Sequence, residues 1–112
     1  MITQIIGSAK CRGTQKCRRW FDERGIGYQY VNLAKRALSA TELSAIARVV
    51  SWDDMMDDQG KVWASRQLAW KEFDPLEELL AHPLLLKTPV VRRDAMVVIG
   101  YRPRILERFQ QS

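Results

Sequence analysis

Short apolar runs alternate with amphipathic stretches in the first third of the chain. Residues 1–6 are rich in isoleucine and are followed by Gly7, which predicts a buried strand. Apolar side chains then recur at helical spacing over residues 14–24, and Gly25 follows as a helix-ending glycine. The apolar positions of this helix are Cys17, Trp20 and Phe21. The segment IGYQYVNL alternates β-branched and aromatic residues with others, which predicts a second strand and completes a β-α-β unit.

Two helix starts stand in the middle of the chain. Ser39 and Glu42 have the spacing of a capping box, and an apolar stripe follows them. The residues of this stripe are Leu43, Ile46, Ala47 and Val50. Asp74 and Pro75, with Glu77 behind them, have the order of a cap, a first-position proline and an acid. The predicted buried side of this second helix is Leu76, Leu79 and Leu80.

The last third of the chain predicts two strands and a helix. The runs TPVVRR and AMVVIGY have the composition of strands, with a turn expected at residues 93–94, and residues 103–109 predict a closing helix. The resulting order is β-α-β, a helical middle, then β-β-α. With a cysteine between the first strand and the first helix, this is the layout of an α/β thioredoxin-like domain. We expect one domain over residues 1–112, with a helical insertion at about 38–82.

Composition and charge narrow the classes of function. Hydrophobic residues make up 46% of the chain, as in ordinary globular proteins, and no apolar run is long enough to span a bilayer. No secretory signal is visible, and two cysteines without an extracellular context indicate free thiols, so we expect a cytoplasmic protein. The net charge of +5 serves solubility or attracts an anion such as an oxyanion or glutathione. No nucleic-acid-binding motif accompanies the charge, which disfavours a nucleic-acid partner.

The segment SAKCRGTQKCRRWF carries both cysteines, and Cys11 stands where the first strand passes into the first helix. The N–H groups and the positive dipole end of a helix start stabilise an anion, and Lys10, Arg12 and Lys16 would add to this effect. Such surroundings lower a cysteine pKa from about 8.5 into a range of roughly 3.5–7.5. The same donors suit an oxyanion or a substrate carboxylate. We therefore predict a reactive thiol at Cys11; the alternative is an inert cysteine in a turn.

The second cysteine, Cys17, has a different predicted role. Six helical residues separate it from Cys11 by about 9 Å along the axis, whereas the Cα atoms of a disulfide lie no more than about 6.8 Å apart. Cys17 also belongs to the apolar stripe, so we expect a buried structural residue. Two cysteines and one histidine do not make a structural zinc site, and DDMMDD at residues 53–58 lacks the ligand spacing of a calcium loop. We therefore predict no metal.

Three segments resemble the ArsC/Spx family, which contains arsenate-reductase-like proteins of glutaredoxin ancestry. They are CRGTQKCRRWFDERGIGYQYVNL, LSATELSAI and HPLLLKTPVVRRDAMVVIGYRP, so the resemblance covers nearly the whole chain. The family's end signature has its counterparts here in Lys87-Thr88-Pro89, Val90-Val91 and Ile99-Gly100-Tyr101. The resemblance implies a thioredoxin-like fold. It is less specific for the reaction, because one fold hosts many functions.

The resemblance also implies a layout for the site. Thr88 and Pro89 occupy the place of the proline that faces the active cysteine in thioredoxin-like proteins, where the backbone before the proline aligns the substrate. The alternative is that Pro89 simply opens the next strand, and the sequence does not decide whether the bond is cis. In dithiol relatives the resolving cysteine stands three residues after the first, where this chain has Thr14.

The arginines of the family determine whether the resemblance implies arsenate reduction by this chain. The reductases hold arsenate with arginines, and this chain has Gln15 and Thr88 in two of their places. Only Arg102 before a proline resembles a third. Losing these guanidinium groups is costly, because bidentate charge-assisted bonds supply both position and energy. Lys16 and Arg12 would replace them in part. Arsenate reduction therefore stays open beside a thiol-dependent activity.

The primary function that follows is a thiol-dependent oxidoreductase without a bound cofactor. Cys11 would attack an oxidised sulfur or an oxyanion, and an external thiol such as glutathione, or a protein thiol, would release the adduct. The alternative is a regulatory binding protein like the Spx branch, which contacts RNA polymerase without catalytic turnover. The Spx branch usually carries a two-cysteine switch at the first site, which this chain lacks.

Overall fold

The computed structural model describes residues 2–110, and its centre is a mixed four-stranded sheet. The strands are β1 (Gln4–Gly7), β2 (Gln29–Asn32), β3 (Val90–Arg93) and β4 (Met96–Ile99). Their order across the sheet is β2-β1-β3-β4. β1 pairs parallel with β2 and antiparallel with β3, which pairs antiparallel with β4. The predicted thioredoxin-like arrangement is confirmed. Met1, at the start of the first predicted strand, lies outside the described residues.

Helices follow the predicted order along the described residues. They are α1 (Arg12–Glu23), α2 (Ala40–Ala47), α3 (Trp52–Met55), α4 (Lys61–Ser65), α5 (Pro75–Ala81) and α6 (Pro103–Leu106). Short 3-10 turns cover Leu68–Trp70, Pro83–Leu85 and Glu107–Phe109, the last completing the predicted closing helix. Within residues 2–110, none of these helices combines the length and apolar character that crossing a bilayer requires.

The chain divides into two compact units. One contains the sheet, α1 and α6 and comprises residues 2–32 and 88–110. The other comprises residues 33–87 and contains α2 to α5. The helical insertion predicted at about 38–82 lies inside this second unit, which extends five residues further at each end.

The core of the sheet unit forms around Phe21 of α1. Its ring makes edge-to-face contacts with those of Trp20, Tyr28 and Phe109, at centroid distances of 5.2, 5.7 and 6.1 Å. Edge-to-face contacts between aromatic rings stabilise the fold beyond what the burial of the rings contributes. Cys17 lies in the same core, fully buried, as the helical spacing predicts. α1 therefore packs against the sheet through its apolar face, and this packing fixes the position of the first turn of the helix.

Both predicted helix caps in the second unit are confirmed. Ser39 Oγ accepts from the N–H of Glu42 at 3.2 Å, and the Glu42 carboxylate accepts from the N–H of Ser39 at 3.0 Å. Asp74 caps α5 by accepting from the N–H of Leu76 at 2.9 Å. The prediction for Leu80 is wrong, because this side chain is 42% exposed. The buried face of α5 is formed by Glu78 and Leu79, and Leu80 lies beside that face.

Two predicted boundaries differ from the observed ones. α1 begins at Arg12, two residues earlier than predicted, because the carbonyl of Cys11 already accepts from the N–H of Gln15 at 3.1 Å. The β3–β4 turn contains Asp94 and the alanine after it, one position later than predicted, because the last strand pair is residues 93 and 96. Asp94 has φ of 55°, a left-handed conformation that aspartate tolerates well. Gly25, with φ of 67°, ends α1 as predicted.

The close approach of β1 to α1 yields a stability prediction. Gly7 ends β1 against Thr14, and a Cβ at this glycine would lie 2.7 Å from Thr14 Cγ2 and 2.9 Å from its Cβ. Thr14 is fully buried and cannot move aside freely. We expect Gly7→Ala to lower the free energy of unfolding by about 1–3 kcal/mol, the usual cost of overpacking. Gly27→Ala is the matched control, because its Cβ would meet no atom within 4 Å. Urea denaturation of both variants measures this, and equal losses would contradict the account.

Candidate active site around Cys11

Cys11 lies at the junction of β1 and α1. It is the N-cap of α1, with extended backbone at φ −81° and ψ 118°, and its N–H donates to the carbonyl of Ser8 at 3.1 Å. The thiol is partly exposed. Its side chain makes no capping hydrogen bond, so the first N–H groups of the helix are available to a negative charge. The predicted position of Cys11 at the start of the helix is confirmed.

Thr88 and Pro89 face this cysteine from the start of β3. Thr88 Oγ1 donates to Cys11 Sγ at 3.1 Å, and the thiol donates to the Thr88 carbonyl at 3.6 Å. The Thr88–Pro89 peptide bond is cis. Gly13 closes the same corner, because a Cβ there would lie 3.0 Å from Pro89 Cδ and 3.8 Å from Cys11 Sγ. The fold thus brings together residues 77 positions apart in the chain.

The surroundings of Cys11 favour its thiolate. Burial alone raises the pKa of the thiol, but hydrogen bonds outweigh it and leave the pKa below its ordinary value. The donors available to the thiolate are the hydroxyls of Thr14 and Thr88 and the N–H groups of Thr14 and Gly13, and of these the Thr88 hydroxyl also bonds the neutral thiol. Hydrogen bonds to the charged form stabilise it, and two of these donors belong to the first turn of α1. The site can therefore supply a nucleophilic thiolate at a lower pH than a free cysteine.

Thr14 has a special place among these donors. Its side chain is fully buried, and Oγ1 has no acceptor at regular hydrogen-bond geometry around the neutral thiol. A negative charge on Cys11 offers this O–H an acceptor, so Thr14 favours the thiolate and lowers the pKa of Cys11. Gly7 leaves the space for it. The spacing of Cys11 and Thr14 singled out this threonine, but Gly7 and Gly13 were missed, and their only signal was their position on either side of the cysteine.

The hydroxyl of Thr88 should have a measurable effect on the thiolate. Thr88→Val removes the donor at 3.1 Å and should raise the pKa of Cys11, because the thiolate loses a hydrogen bond that stabilises it. Thr88→Ser is the matched control that keeps a hydroxyl. The pH dependence of the thiolate absorbance in the ultraviolet measures the shift. Identical titration curves for Thr88→Val and Thr88→Ser would contradict this role.

The predicted cationic residues make no hydrogen bond with the sulfur of Cys11. Lys10, Arg12 and Lys16 are exposed, and within residues 2–110 their side chains make no hydrogen bond or ion pair. None of them is among the groups that lower the pKa of Cys11. Arg102 is exposed at the N-cap of α6, where its carbonyl accepts from two N–H groups of that helix. The structure therefore brings together Cys11, the two threonines and the proline, and it leaves the four cations at the surface.

Gln15 stands in one of the places where arsenate reductases have an arginine. Its side-chain amide donates to the carbonyl of Ala9, which ties the loop before Cys11 to the first turn of α1. The side chain is therefore engaged in holding the loop. Thr88, in a second such place, uses its hydroxyl on the sulfur.

Cys17 takes no part in the site. It is fully buried among apolar side chains, and this burial raises its pKa to about 12. Both cysteines are free thiols. Within residues 2–110 the histidine, cysteine and acidic side chains form no group of three that could hold a metal ion. The chemistry of the described site thus rests on one sulfur and its hydrogen-bond donors.

Comparison with known proteins places this chain in a family. No family model matches the chain. The global transcriptional regulator Spx 2 of Oceanobacillus iheyensis is 32% identical, over 96% of this chain and 84% of that protein. The global transcriptional regulator Spx of Bacillus subtilis is 26% identical over 97% and 86%. The arsenate reductase from Vibrio cholerae, a solved structure, superposes with a TM-score of 0.83 at 19% identity, over 96% and 97% of the two chains. The chain belongs to the ArsC/Spx family.

Proposed function

We propose that this protein is a thiol-dependent oxidoreductase that works with one cysteine. The Cys11 thiolate attacks one sulfur of a disulfide, the S–S bond breaks, and the leaving thiolate takes up a proton. A glutathione thiolate then attacks the mixed disulfide, which returns Cys11 and leaves a second mixed disulfide. A further glutathione completes the reduction, so the substrate gains two electrons and glutathione is oxidised to its disulfide. The observation that carries the proposal is the set of hydroxyl and N–H donors around the Cys11 sulfur.

The cycle needs a thiol from another molecule, because the chain has no second cysteine placed to resolve the mixed disulfide. Thr14 stands where dithiol relatives have a resolving cysteine, and Cys17 is buried in the core. A thiol whose pKa is raised to about 12 by burial is a poor partner for exchange at neutral pH. A reductant in solution, such as glutathione or a protein thiol, must therefore release the adduct. The cycle suits a reducing compartment, and we place it in the cytoplasm.

The second candidate is a regulatory binding protein that contacts RNA polymerase. The 32% identity to a protein named as a global transcriptional regulator favours it. A purely regulatory role needs surface contacts and no turnover, so replacing Cys11 would leave it intact. An oxidoreductase loses its activity with the same replacement. The two roles are thus separable in one variant.

The state of Cys11 after mild oxidation tests the proposal. Treatment with glutathione disulfide should add one glutathione to the chain, and peptide mapping should find it on Cys11. Intact mass distinguishes this adduct from an intramolecular disulfide, which would remove two hydrogens instead. Excess reduced glutathione should then restore the starting mass. Failure to form the adduct, or clean formation of a bond to Cys17, would overturn the one-cysteine cycle.

A further inference from the structure

The charges of the chain are distributed unevenly between its two units. Residues 2–32 and 88–110 contain eleven Lys and Arg against four Asp and Glu, a net charge of +7. Residues 33–87 contain seven Lys and Arg against nine Asp and Glu, a net charge of −2. The described ion pairs, Arg36–Glu42 and Arg66–Glu78, both lie in the second unit. The unit that holds Cys11 is therefore the basic one, and it holds neither of these pairs.

Two arginines of α1 serve the fold. The guanidinium carbon of Arg18 lies 3.9 Å from the centroid of the Tyr30 ring, and its Nε donates to Tyr28 Oη at 3.3 Å. The guanidinium carbon of Arg24 lies 4.1 Å from the centroid of the Trp20 ring. Cation–π contacts of this kind hold the side chain against the surface. These two charges are thus accounted for by packing.

Three other cations of α1 have no such role. Arg12, Lys16 and Arg19 are exposed, and within residues 2–110 they make no hydrogen bond, ion pair or ring contact. Their spacing of i, i+4 and i+7 puts them on one face of the helix, opposite the buried face, over about 10.5 Å of its axis. We name this set the α1 cation row. It begins beside Cys11 and ends before Glu23, an exposed acid on the same face.

The first member of the α1 cation row, Arg12, does not improve the stability of its helix. Cations are unfavourable near the positive N-terminal end of a helix dipole, where acids are preferred. The first turns of α1, α4 and α6 contain no acid, whereas those of α2, α3 and α5 contain Glu42, Asp53 with Asp54, and Glu77 with Glu78. Arg12 is the first residue of α1. Residues that break a local rule without a compensating contact point to a function.

We propose that the α1 cation row docks an acidic segment of a partner polypeptide and so brings that partner's thiol or disulfide to Cys11. Docking stands on the charges alone, whereas the exchange step rests on the proposed function. An extended segment rises about 3.4 Å per residue, so three or four residues rich in Asp and Glu would follow the row. Glutathione is too short to use Arg19, two helical turns from the sulfur. A nucleic acid matches the charge but has no sulfur to exchange.

A binding experiment tests the docking independently of the chemistry. The Cys11→Ser protein is titrated into a fluorescent peptide of alternating Glu and Asp with one serine in the thiol position. A Gln/Asn peptide of equal length and single-stranded DNA of equal charge serve as comparisons. We expect the acidic peptide to bind at least about tenfold more tightly than the neutral one at low salt, and the advantage to shrink as salt rises. Equal affinity for the two peptides overturns the proposal, and tighter binding of the DNA assigns the row to nucleic acid.

Variants locate the binding on the row. Arg19→Gln should weaken binding of the acidic peptide about two- to fivefold, as expected for one exposed charge pair. Arg108→Gln removes the same charge beside Phe109, which packs on Phe21 near the other end of α1, and should leave the affinity unchanged. Arg12→Gln should weaken binding without lowering the thermal midpoint, because it relieves repulsion with the helix dipole. Equal losses for Arg19→Gln and Arg108→Gln would overturn the assignment to α1.

The exchange step has its own readout. The same peptides, with cysteine in place of serine and activated as mixed disulfides with thionitrobenzoate, react with the wild-type chain. Cys11 forms a disulfide with the peptide sulfur, the activated S–S bond breaks, and the coloured thionitrobenzoate leaves. The ratio of rates for the acidic and neutral peptides should fall with Arg19→Gln. If neither peptide reacts while docking persists, the proposed function fails and the docking surface stands. If both peptides react at equal rates, the proposal that the row brings the partner's sulfur to Cys11 is overturned.

Discussion

Replacing Cys11 by serine should abolish the reduction of a small disulfide by glutathione. A serine hydroxyl is almost entirely protonated at neutral pH, and it cannot form the mixed disulfide on which the cycle depends. Loss of a sole nucleophile typically lowers turnover by on the order of a thousandfold or more. The measurement is glutathione oxidation with bis(2-hydroxyethyl) disulfide as substrate, followed through glutathione reductase and NADPH consumption.

The control for this loss of activity is a variant of the other cysteine. Cys17→Ala removes a fully buried thiol whose pKa is about 12, so it should leave most of the activity in place while lowering stability modestly. Circular dichroism of both variants checks that the fold persists. If the Cys11→Ser protein retains wild-type turnover, the nucleophile has been misassigned; if the wild-type protein itself shows no turnover, the regulatory role gains support.

Arsenate turnover should be very slow or absent in the wild-type protein. Two places that bear arginines in arsenate reductases hold Gln15 and Thr88, whose polar groups are bonded to the Ala9 carbonyl and to the Cys11 sulfur. A charge-assisted hydrogen bond contributes about 1.5–3 kcal/mol, so the loss of two weakens oxyanion stabilisation by a factor of about a hundred or more. Arsenite formation with glutathione and glutaredoxin measures this.

A gain-of-function variant sharpens the arsenate prediction. Thr88→Arg restores a guanidinium next to the proline that faces Cys11, and it should raise arsenite formation above the wild-type level. Cys11→Ser in the same background should remove the gain. Robust wild-type turnover that depends on Cys11 would show that Lys16, Arg12 or Arg102 holds the oxyanion, and that the two missing arginines do not matter.

The sequence predicts the local elements well, because their signals are local. The capping pair of Ser39 and Glu42 and the helix-ending Gly25 form as predicted. The start of α1 was placed two residues late because Cys11 occupies the N-cap position without a side-chain hydrogen bond, so the usual cap residues give no signal there. The spacing of Leu76, Leu79 and Leu80 predicts one buried side, but the inner face of α5 holds Glu78 and Leu79, and Leu80 is exposed.

The sequence predicts which residues belong to the site, but not which groups stabilise the thiolate. Cys11 and Thr88 lie 77 positions apart and meet because β1 pairs antiparallel with β3, a long-range contact that the resemblance supplied and local periodicity does not. Counting nearby Lys and Arg predicted that cations would support the thiolate. The donors are hydroxyls and backbone N–H groups instead, while the cationic side chains of Arg12 and Lys16 are exposed to solvent.

The most direct test of the account is the pH dependence of alkylation at Cys11. Iodoacetamide reacts with the thiolate, so the rate rises as pH passes through the pKa of the sulfur. In the Cys17→Ala protein the midpoint should lie clearly below the value of about 8.5 for a free cysteine, because the hydrogen bonds that stabilise the thiolate outweigh its burial. In the Cys11→Ser protein, labelling of Cys17 should stay slow until the chain is denatured. Equally slow labelling of both cysteines, with an ordinary midpoint for Cys11, would contradict the claim that this sulfur is an activated nucleophile.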